Sequence, residues 1–406
     1  MTTAAMPPQS SGGFGDLYGH TPLEKVFAGA DVYGHTPLEK MFAGADVYGV
    51  GFDHYRADRR LLRLAIIGAG GVAQSKWLPA LGRLRTLWDP VELVGVADPA
   101  EDQGRKVARV HGCRWYRDHG QLLSEEKPDV VLIASPDRFH AEHAQAALEA
   151  GAAALVEKPF CTSLAEAERL CGLSAATRVT LMPVANLRFS PPFRRARQFV
   201  ASLEGFSADA VLLGKMHLGY DYVDLLEGAT VHLFDLTRFL LGDVVEVRAR
   251  GLGRAEGAHR YPCRQAVISL DFGQAGAAQL FTSASDLSLK PWLRVEVHGQ
   301  GTWLVVDDVF ELVLYDSETG PAKVWKPVLA NTLLFDEEFG GYLPQLEHFL
   351  QVVRGEEEPN VTPMDGYRAV ELITATHLAM ASGKAVRLPL DANEADAELA
   401  LLRSQW

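Results

Sequence analysis

"LLRLAIIGAGGVAQSKWLPAL" (residues 61–81) is the stretch on which the fold turns. An apolar run, Leu64 to Ile67, reads as a buried strand and gives way to Gly68-Ala69-Gly70-Gly71-Val72-Ala73. Beyond it, apolar residues recur at helical spacing. The turn has the form G-x-G-x-x-A, set between a strand and a helix. Gly68 permits the tight turn, Gly70 lets a phosphate approach the backbone, and Ala73 lets the helix sit close to the strand. Gly71 and Val72 open the helix, whose N-terminus favours a diphosphate. Three small residues alone carry little weight; in this setting they specify a dinucleotide-binding turn.

Working outward, the next strand, "VELVGVAD" (91–98), ends in Asp98. A carboxylate there accepts hydrogen bonds from ribose hydroxyls and repels a 2′-phosphate. Pro99 and Ala100 follow, with no adjacent Lys or Arg, which favours NAD over NADP as cofactor. Helices are expected near 101–111 and 118–125, with a short strand at Arg114 to Tyr116 between them. "PDVVLIASP" (128–136) has the unbroken apolar character of a central parallel strand. The helix "RFHAEHAQAALEAG" (138–151) ends at Gly151, and "ALVEKPF" (154–160) brings a short strand to Glu157-Lys158-Pro159. Strand–helix alternation after such a turn predicts a doubly wound parallel sheet over 61–185, with ligands at the carboxyl ends of its strands. Asp98, Ser135-Pro136 and Glu157-Lys158 all stand at such ends.

Residues 186–390 carry a different pattern. A helix near 191–203 and the "VHLFDLTRFLLG" helix are joined by alternating strands such as "QAVISLDF", "LRVEVHG" and "TWLVVDD". Short connections such as Gly299-Gln300-Gly301 predict hairpins in a large, mainly antiparallel open sheet, so this half is α+β. An acidic tail, 391–406, closes the chain. At the other end, 1–60 forms an arm with a 15-residue tandem repeat, "DLYGHTPLEKVFAGA" (16–30) and "DVYGHTPLEKMFAGA" (31–45). Thr21 to Glu24 and Thr36 to Glu39 fit capping boxes with Pro at N1. Helices that short need a partner. That partner is the chain's own body or a neighbouring subunit on one reading, and a different protein docked through two copies on another.

Composition removes several classes. A net charge of −13 opposes general nucleic-acid binding. Cys113, Cys161, Cys171 and Cys263 are scattered with no metal-ligand spacing, so no metal is expected and a reducing, cytoplasmic setting is. No apolar run of membrane-spanning length occurs, and the first residues lack the pattern of a secretory leader.

Taken together, "LAIIGAGGVAQSKWLPAL", "VVLIASPDRFHAEHAQAALEAGAAALVEKPF", "NLRFSPPFRRA", "GATVHLFDLTRFLLGDVVEV" and "DGYRAVELITATHLAMASGKAVRLP" resemble the Gfo/Idh/MocA oxidoreductases in order and spacing. The resemblance, over roughly 61–390, implies hydride transfer between a nicotinamide and a hydroxyl or ketone of a sugar, cyclitol or similar polar molecule. It implies that Lys158, often on a cis Lys-Pro peptide, is catalytic and contacts both the substrate hydroxyl and the nicotinamide ribose of the cofactor, and that Glu157 neighbours the nicotinamide. Ser135, Pro136 and His140 would line the nicotinamide side, with Asn186 in the crevice. An ammonium that is partly desolvated near a cationic ring has a lowered pKa and suits proton exchange with an alcohol.

The family's second element, D-x-G-x-H-x-x-D, is incomplete here. "GATVHLFD" keeps His232 as an acid/base or substrate-binding residue and Asp235 as a substrate residue, but Gly228 stands where the first acid belongs. Glu227 and Asp224 are the nearby carboxylates that would compensate. The resemblance also implies a homo-oligomer, dimer or tetramer, formed through the C-terminal sheet. The rival expectation is a non-catalytic sensor or scaffold that keeps its cofactor and recruits a partner through the repeated arm.

Overall fold

The computed structural model describes residues 59–86, 89–202, 211–218, 224–253, 263–284, 292–299, 301–315, 322–326 and 339–404. The tandem repeat at 16–45 lies outside the described residues.

The first half builds a six-stranded parallel sheet: β1 (Leu62–Ile67), β2 (Val91–Ala97), β3 (Arg114–Tyr116), β4 (Val130–Ile133), β5 (Ala153–Val156) and β6 (Leu181–Pro183). Their order across the sheet is β3-β2-β1-β4-β5-β6. All residues of β4 and β5 are buried, which explains their unbroken apolar runs. Between them run α1 (Leu78–Thr86), α2 (Glu101–His111), α3 (His119–Glu126), α4 (His140–Glu149) and α5 (Leu164–Thr177). Local chemistry sets several boundaries. Asp118 caps α3 by accepting from the Gln121 N–H at 3.0 Å, and Ser163 caps α5 by accepting from Glu166 N–H at 3.2 Å.

The second half begins with α6 (Asn186–Phe189) and α7 (Pro191–Ser202), then β7 (Val211–Leu218) and α8 (Val231–Leu241). Strands β8 (Glu246–Leu252), β9 (Gln265–Asp271), β10 (Ala277–Ala284), β11 (Leu293–Gly299), β12 (Thr302–Asp307), β13 (Glu311–Tyr315) and β14 (Lys323–Trp325) follow. Helices α9 (Tyr342–Arg354) and α10 (Pro363–Ser382), the short β15 (Val386–Arg387) and α11 (Ala392–Arg403) complete it. The nine-stranded sheet has the order β14-β13-β12-β11-β7-β10-β9-β8-β15. Its pairs are antiparallel except β7 with β10. Alternation sorts its faces: Ala266, Ile268 and Leu270 of β9 and Leu293, Val295 and Val297 of β11 enter the core with Phe234 and Leu236 of α8.

The halves interlock through the end of the chain. Leu343, Leu346, Phe349 and Leu350 of α9 pack with Trp77, Leu81 and Leu84 beneath the parallel sheet. On its opposite face, Val370 and Leu378 of α10 join Leu164 and Leu170 of α5. The segment expected as an acidic tail is the helix α11. Asp396 on it accepts from the N–H groups of Leu164 and Ala165, at 3.0 and 2.9 Å, and so caps the start of α5.

Candidate active site

Register brings three strand ends level. Ile67 pairs with Ala97 of β2 on one side and with Ile133 of β4 on the other. Gly68, Asp98 and Ala134-Ser135 therefore meet where the winding of the sheet reverses, the place at which such sheets bind ligands. Gly68 has φ +96°, and a Cβ there would lie 2.6 Å from the Ala134 carbonyl and the Ser135 nitrogen, so only glycine fits. At Gly70 and Gly71 an added Cβ would meet nothing within 4 Å, leaving that backbone open to a ligand. Val72 leads into a wide π-helical turn, Ala73–Trp77, with Ala73 and Trp77 buried against the sheet.

Asp98 is buried and holds this turn. It accepts from Ala69 N–H at 2.7 Å and, more distantly, from Gln103 Nε2 at 3.5 Å on one oxygen, and from Ala100 N–H at 2.8 Å on the other, which retains a lone pair for a ribose hydroxyl. The cleft here has a volume of about 680 Å³, and its lining includes Gly68, Gly70, Asp98, Ser135, Pro136 and Phe139. That volume is in the range of cofactor sites, so the open glycines, the acceptor at Asp98 and the cleft all fit a dinucleotide.

His140 departs from its expected place. It is buried behind the wall of the cleft, with Nδ1 2.7 Å from the Pro159 carbonyl and Nε2 2.8 Å from the Ser135 carbonyl. It ties the tip of β4 to the tip of β5 instead of lining the cofactor crevice. The ring of α4 that faces the cleft is His143, one turn further along, whose Nδ1 meets Ser135 Oγ at 2.9 Å. Its spacing from His140 on one helix face was the available signal.

Glu157 is also buried. Trp77 Nε1 donates to Oε1 at 2.8 Å and the Lys158 N–H to Oε2 at 2.9 Å. The acid thereby couples the fingerprint helix to the tip of β5. Nothing local in the sequence marks Trp77 as its donor.

Lys158 precedes Pro159 across a cis peptide bond. Its Nζ donates to the Gly228 carbonyl at 2.8 Å. Burial pushes the lysine pKa below its ordinary value, against the attraction of Glu157 and Asp137. A backbone carbonyl therefore meets the ammonium at the position where the family's acid was expected. It accepts a hydrogen bond from Lys158 without adding a full negative charge. Gly228 lies in a π-turn, Leu225–Thr230, and its N–H donates to the Asp224 carbonyl at 2.8 Å.

His232 follows one turn into α8. Burial and the charge of Lys158 hold its pKa down to about 3, so it is a neutral imidazole near neutral pH. Its ring makes no hydrogen bond among the described residues. Lys158, His232 and Asp235 line one small pocket of about 20 Å³, roughly the room of a single water.

Two carboxylates of this segment, those of Glu227 and Asp235, are engaged by partners from distant helices. Glu227 points away from Lys158 and accepts from His377 Nε2 on α10 at 3.0 Å, with Arg403 of α11 at 3.9 Å. It does not replace the missing acid. Asp235 is bound by Arg188, from Nε at 2.9 Å and Nη2 at 2.7 Å, and Arg188 also reaches Asp365 at 3.0 Å. Asp235 thus anchors α8 to α6 and, through Arg188, to α10, while it also lines the pocket with Lys158 and His232. Asn186 is buried at the junction and donates to the Gly340 carbonyl at 2.7 Å. Arg188, within the quoted "NLRFSPP", is the residue sequence reasoning passed over.

Comparison with known proteins gives this geometry a context. The family model described as "Oxidoreductase family, NAD-binding Rossmann fold" matches residues 62–184, and the corresponding "C-terminal alpha/beta domain" matches 226–388. The chain is 25% identical over 314 residues to D-apiose dehydrogenase of Paraburkholderia graminis, covering 74% of this chain and 84% of that one. It is 25% identical over 349 residues to myo-inositol 2-dehydrogenase of Thermotoga maritima, covering 80% and 98%. Levoglucosan dehydrogenase, solved with NADH and levoglucosan, shares the fold at a TM-score of 0.71 and 17% identity, over 82% of this chain and all of that one. An oxidoreductase from Agrobacterium radiobacter, solved with NAD+, L-tartaric acid and magnesium, superposes at 0.69 with 19% identity, over 81% of this chain and 98% of that one. Two matched domains in sequence, joined at a cleft where the lysine of one meets the backbone of the other, lead to one conclusion: the chain belongs to the Gfo/Idh/MocA oxidoreductase family.

Proposed function

We propose that this chain is an NAD-dependent oxidoreductase that interconverts a hydroxyl and a ketone on a sugar, cyclitol or similarly polar small molecule. The observation that carries this reading is Lys158, desolvated at the tip of β5 and held at the domain junction beside a neutral His232. Gly68, Gly70 and Gly71 would receive the diphosphate and Asp98 the adenosine ribose, with NAD preferred over NADP. Ser135 and Pro136 would stand on the nicotinamide side, and Glu157 would fix the lysine tip. Bound NAD supplies the hydride acceptor. Lys158 takes the proton of the substrate hydroxyl as a base, and returns it in the reverse direction. His232, neutral and free of other partners, orients the reacting oxygen.

Support also comes from relatives named as dehydrogenases of apiose and of inositol. The outward face of the nine-stranded sheet leaves Leu213, Val267, Tyr315 and Val324 exposed. We assign to it self-association as a dimer or tetramer, and place the enzyme in the cytoplasm.

The test is a screen of sugars and cyclitols for NAD reduction, followed by Lys158→Met on the best substrate. Turnover should fall by about 10²-fold or more, with NADH affinity retained. Unchanged turnover would remove Lys158 from the mechanism.

A further inference from the structure

Three ligand-type side chains gather on the wall of the nucleotide cleft, separate from the lysine and histidine of the proposed chemistry. His119 opens α3, and Glu142 and His143 stand in the first turn of α4. One donor atom from each lies within 4.8 Å of the other two. The two imidazole centroids are 4.4 Å apart, with the rings tilted by 56°. Nδ1 of His143 is engaged by Ser135 Oγ at 2.9 Å, and Nδ1 of His119 lies 3.8 Å from Asp118 Oδ2. His143 therefore has Nε2 left to give, and neither ring nitrogen of His119 makes a hydrogen bond among the described residues. Oxygen partners on the far nitrogen are what fix the rings of ligating histidines. The Glu142 carboxylate is exposed and makes no hydrogen bond or ion pair among the described residues.

We propose that His119, Glu142 and His143 form a binding site for a divalent transition-metal ion of the zinc class. Two imidazoles and one carboxylate suit zinc and its neighbours, whereas calcium and magnesium prefer all-oxygen sets. Tetrahedral zinc at about 2.1 Å from each donor places the donors roughly 3.4 Å apart. The exposed Glu142 has the freedom to close that distance. Three protein donors leave a fourth position open. Because all three residues line the cleft assigned to the dinucleotide, metal and nucleotide share one volume, and each weakens the other's binding.

Sequence spacing concealed the site, since His119 comes from a different helix than Glu142 and His143. The chain has 13 histidines, so the variants and not the stoichiometry alone must define it.

The experiment uses the full chain, stripped with a chelator and titrated with Co2+ by visible absorption, then with Zn2+ against a chromophoric competitor. Wild type should bind one ion at this site, and His119→Ala and Glu142→Gln should each weaken it by roughly tenfold or more. Far-UV circular dichroism checks that both fold, and Glu142→Gln changes only an exposed group. NADH fluorescence titrations should show a several-fold weaker apparent affinity with Zn2+ in wild type, and a much smaller Zn2+ effect at the same concentration in His119→Ala. Equal Zn2+ affinity in wild type and both variants, or a wild-type NADH titration indifferent to Zn2+, overturns the site.

Discussion

Replacing Trp77 by Phe removes the N–H that Glu157 Oε1 accepts at 2.8 Å and leaves that oxygen buried with no other donor among the described residues. A hydrogen bond to a charged group contributes about 1.5–3 kcal/mol. Trp77 is fully buried and meets the ring of Tyr342 edge-on at 5.0 Å, so the smaller ring also leaves a void. That void costs about 1 kcal/mol more. The expected loss is therefore about 2.5–4 kcal/mol.

Urea unfolding of wild type, Trp77→Phe, Glu157→Met and the double variant measures it. Replacing both partners by apolar groups removes the unsatisfied oxygen. The double variant should therefore be about 1.5–3 kcal/mol more stable than the sum of the singles predicts. A cost under about 1 kcal/mol for Trp77→Phe, or strict additivity in the double variant, would refute the coupling between the fingerprint helix and the tip of β5.

Three further outcomes are expected. Gly228→Asp places a carboxylate beside the Lys158 ammonium, and an opposite charge at that range raises such a pKa by about 1–3 units. Alcohol oxidation needs the neutral amine, so the rising limb of kcat/KM against pH should move upward, and an unmoved limb would count against Lys158 as the base. Arg188→Ala strands Asp235 and Asp365 without this counter-charge and should cost about 3–5 kcal/mol, read as a lower urea midpoint. Replacing both Arg188 and Asp235 by Leu should recover much of that loss. His232 is neutral in the fold down to about pH 3, while the unfolded chain protonates it near its ordinary value. Its contribution is thus intact above about pH 6.5 and is lost as pH falls toward 3. The wild-type urea midpoint should drop more steeply between pH 7 and 5 than that of His232→Gln, and parallel curves would contradict a ring held neutral by the fold.

The order of elements, the doubly wound sheet, the dinucleotide turn and the lysine at a strand tip were all legible in the sequence. Each depends on signals within a few residues of one another. Apolar periodicity separates strand from helix, a glycine is required where the β1 turn crosses the Ala134 carbonyl, and the carboxyl end of a parallel strand follows from its direction. Even Asp98 could be placed, because the register of a parallel sheet brings the residue after β2 level with the glycine turn.

What tertiary structure alone decided is where the polar side chains spend their hydrogen bonds. Glu227 sits beside Gly228 in sequence, yet its partner His377 lies 150 residues away. Asp235 keeps its place in the motif, but its charge is consumed by Arg188, 47 residues distant. His140 was expected in the cofactor wall and instead bridges two backbone carbonyls behind it. Helix α9 belongs to the second half in sequence and packs under the sheet of the first, because its apolar face completes the core around Trp77. A buried carboxylate or imidazole must find a partner or suffer desolvation. Which partner it finds depends on segments brought together only when both sheets and their covering helices have assembled.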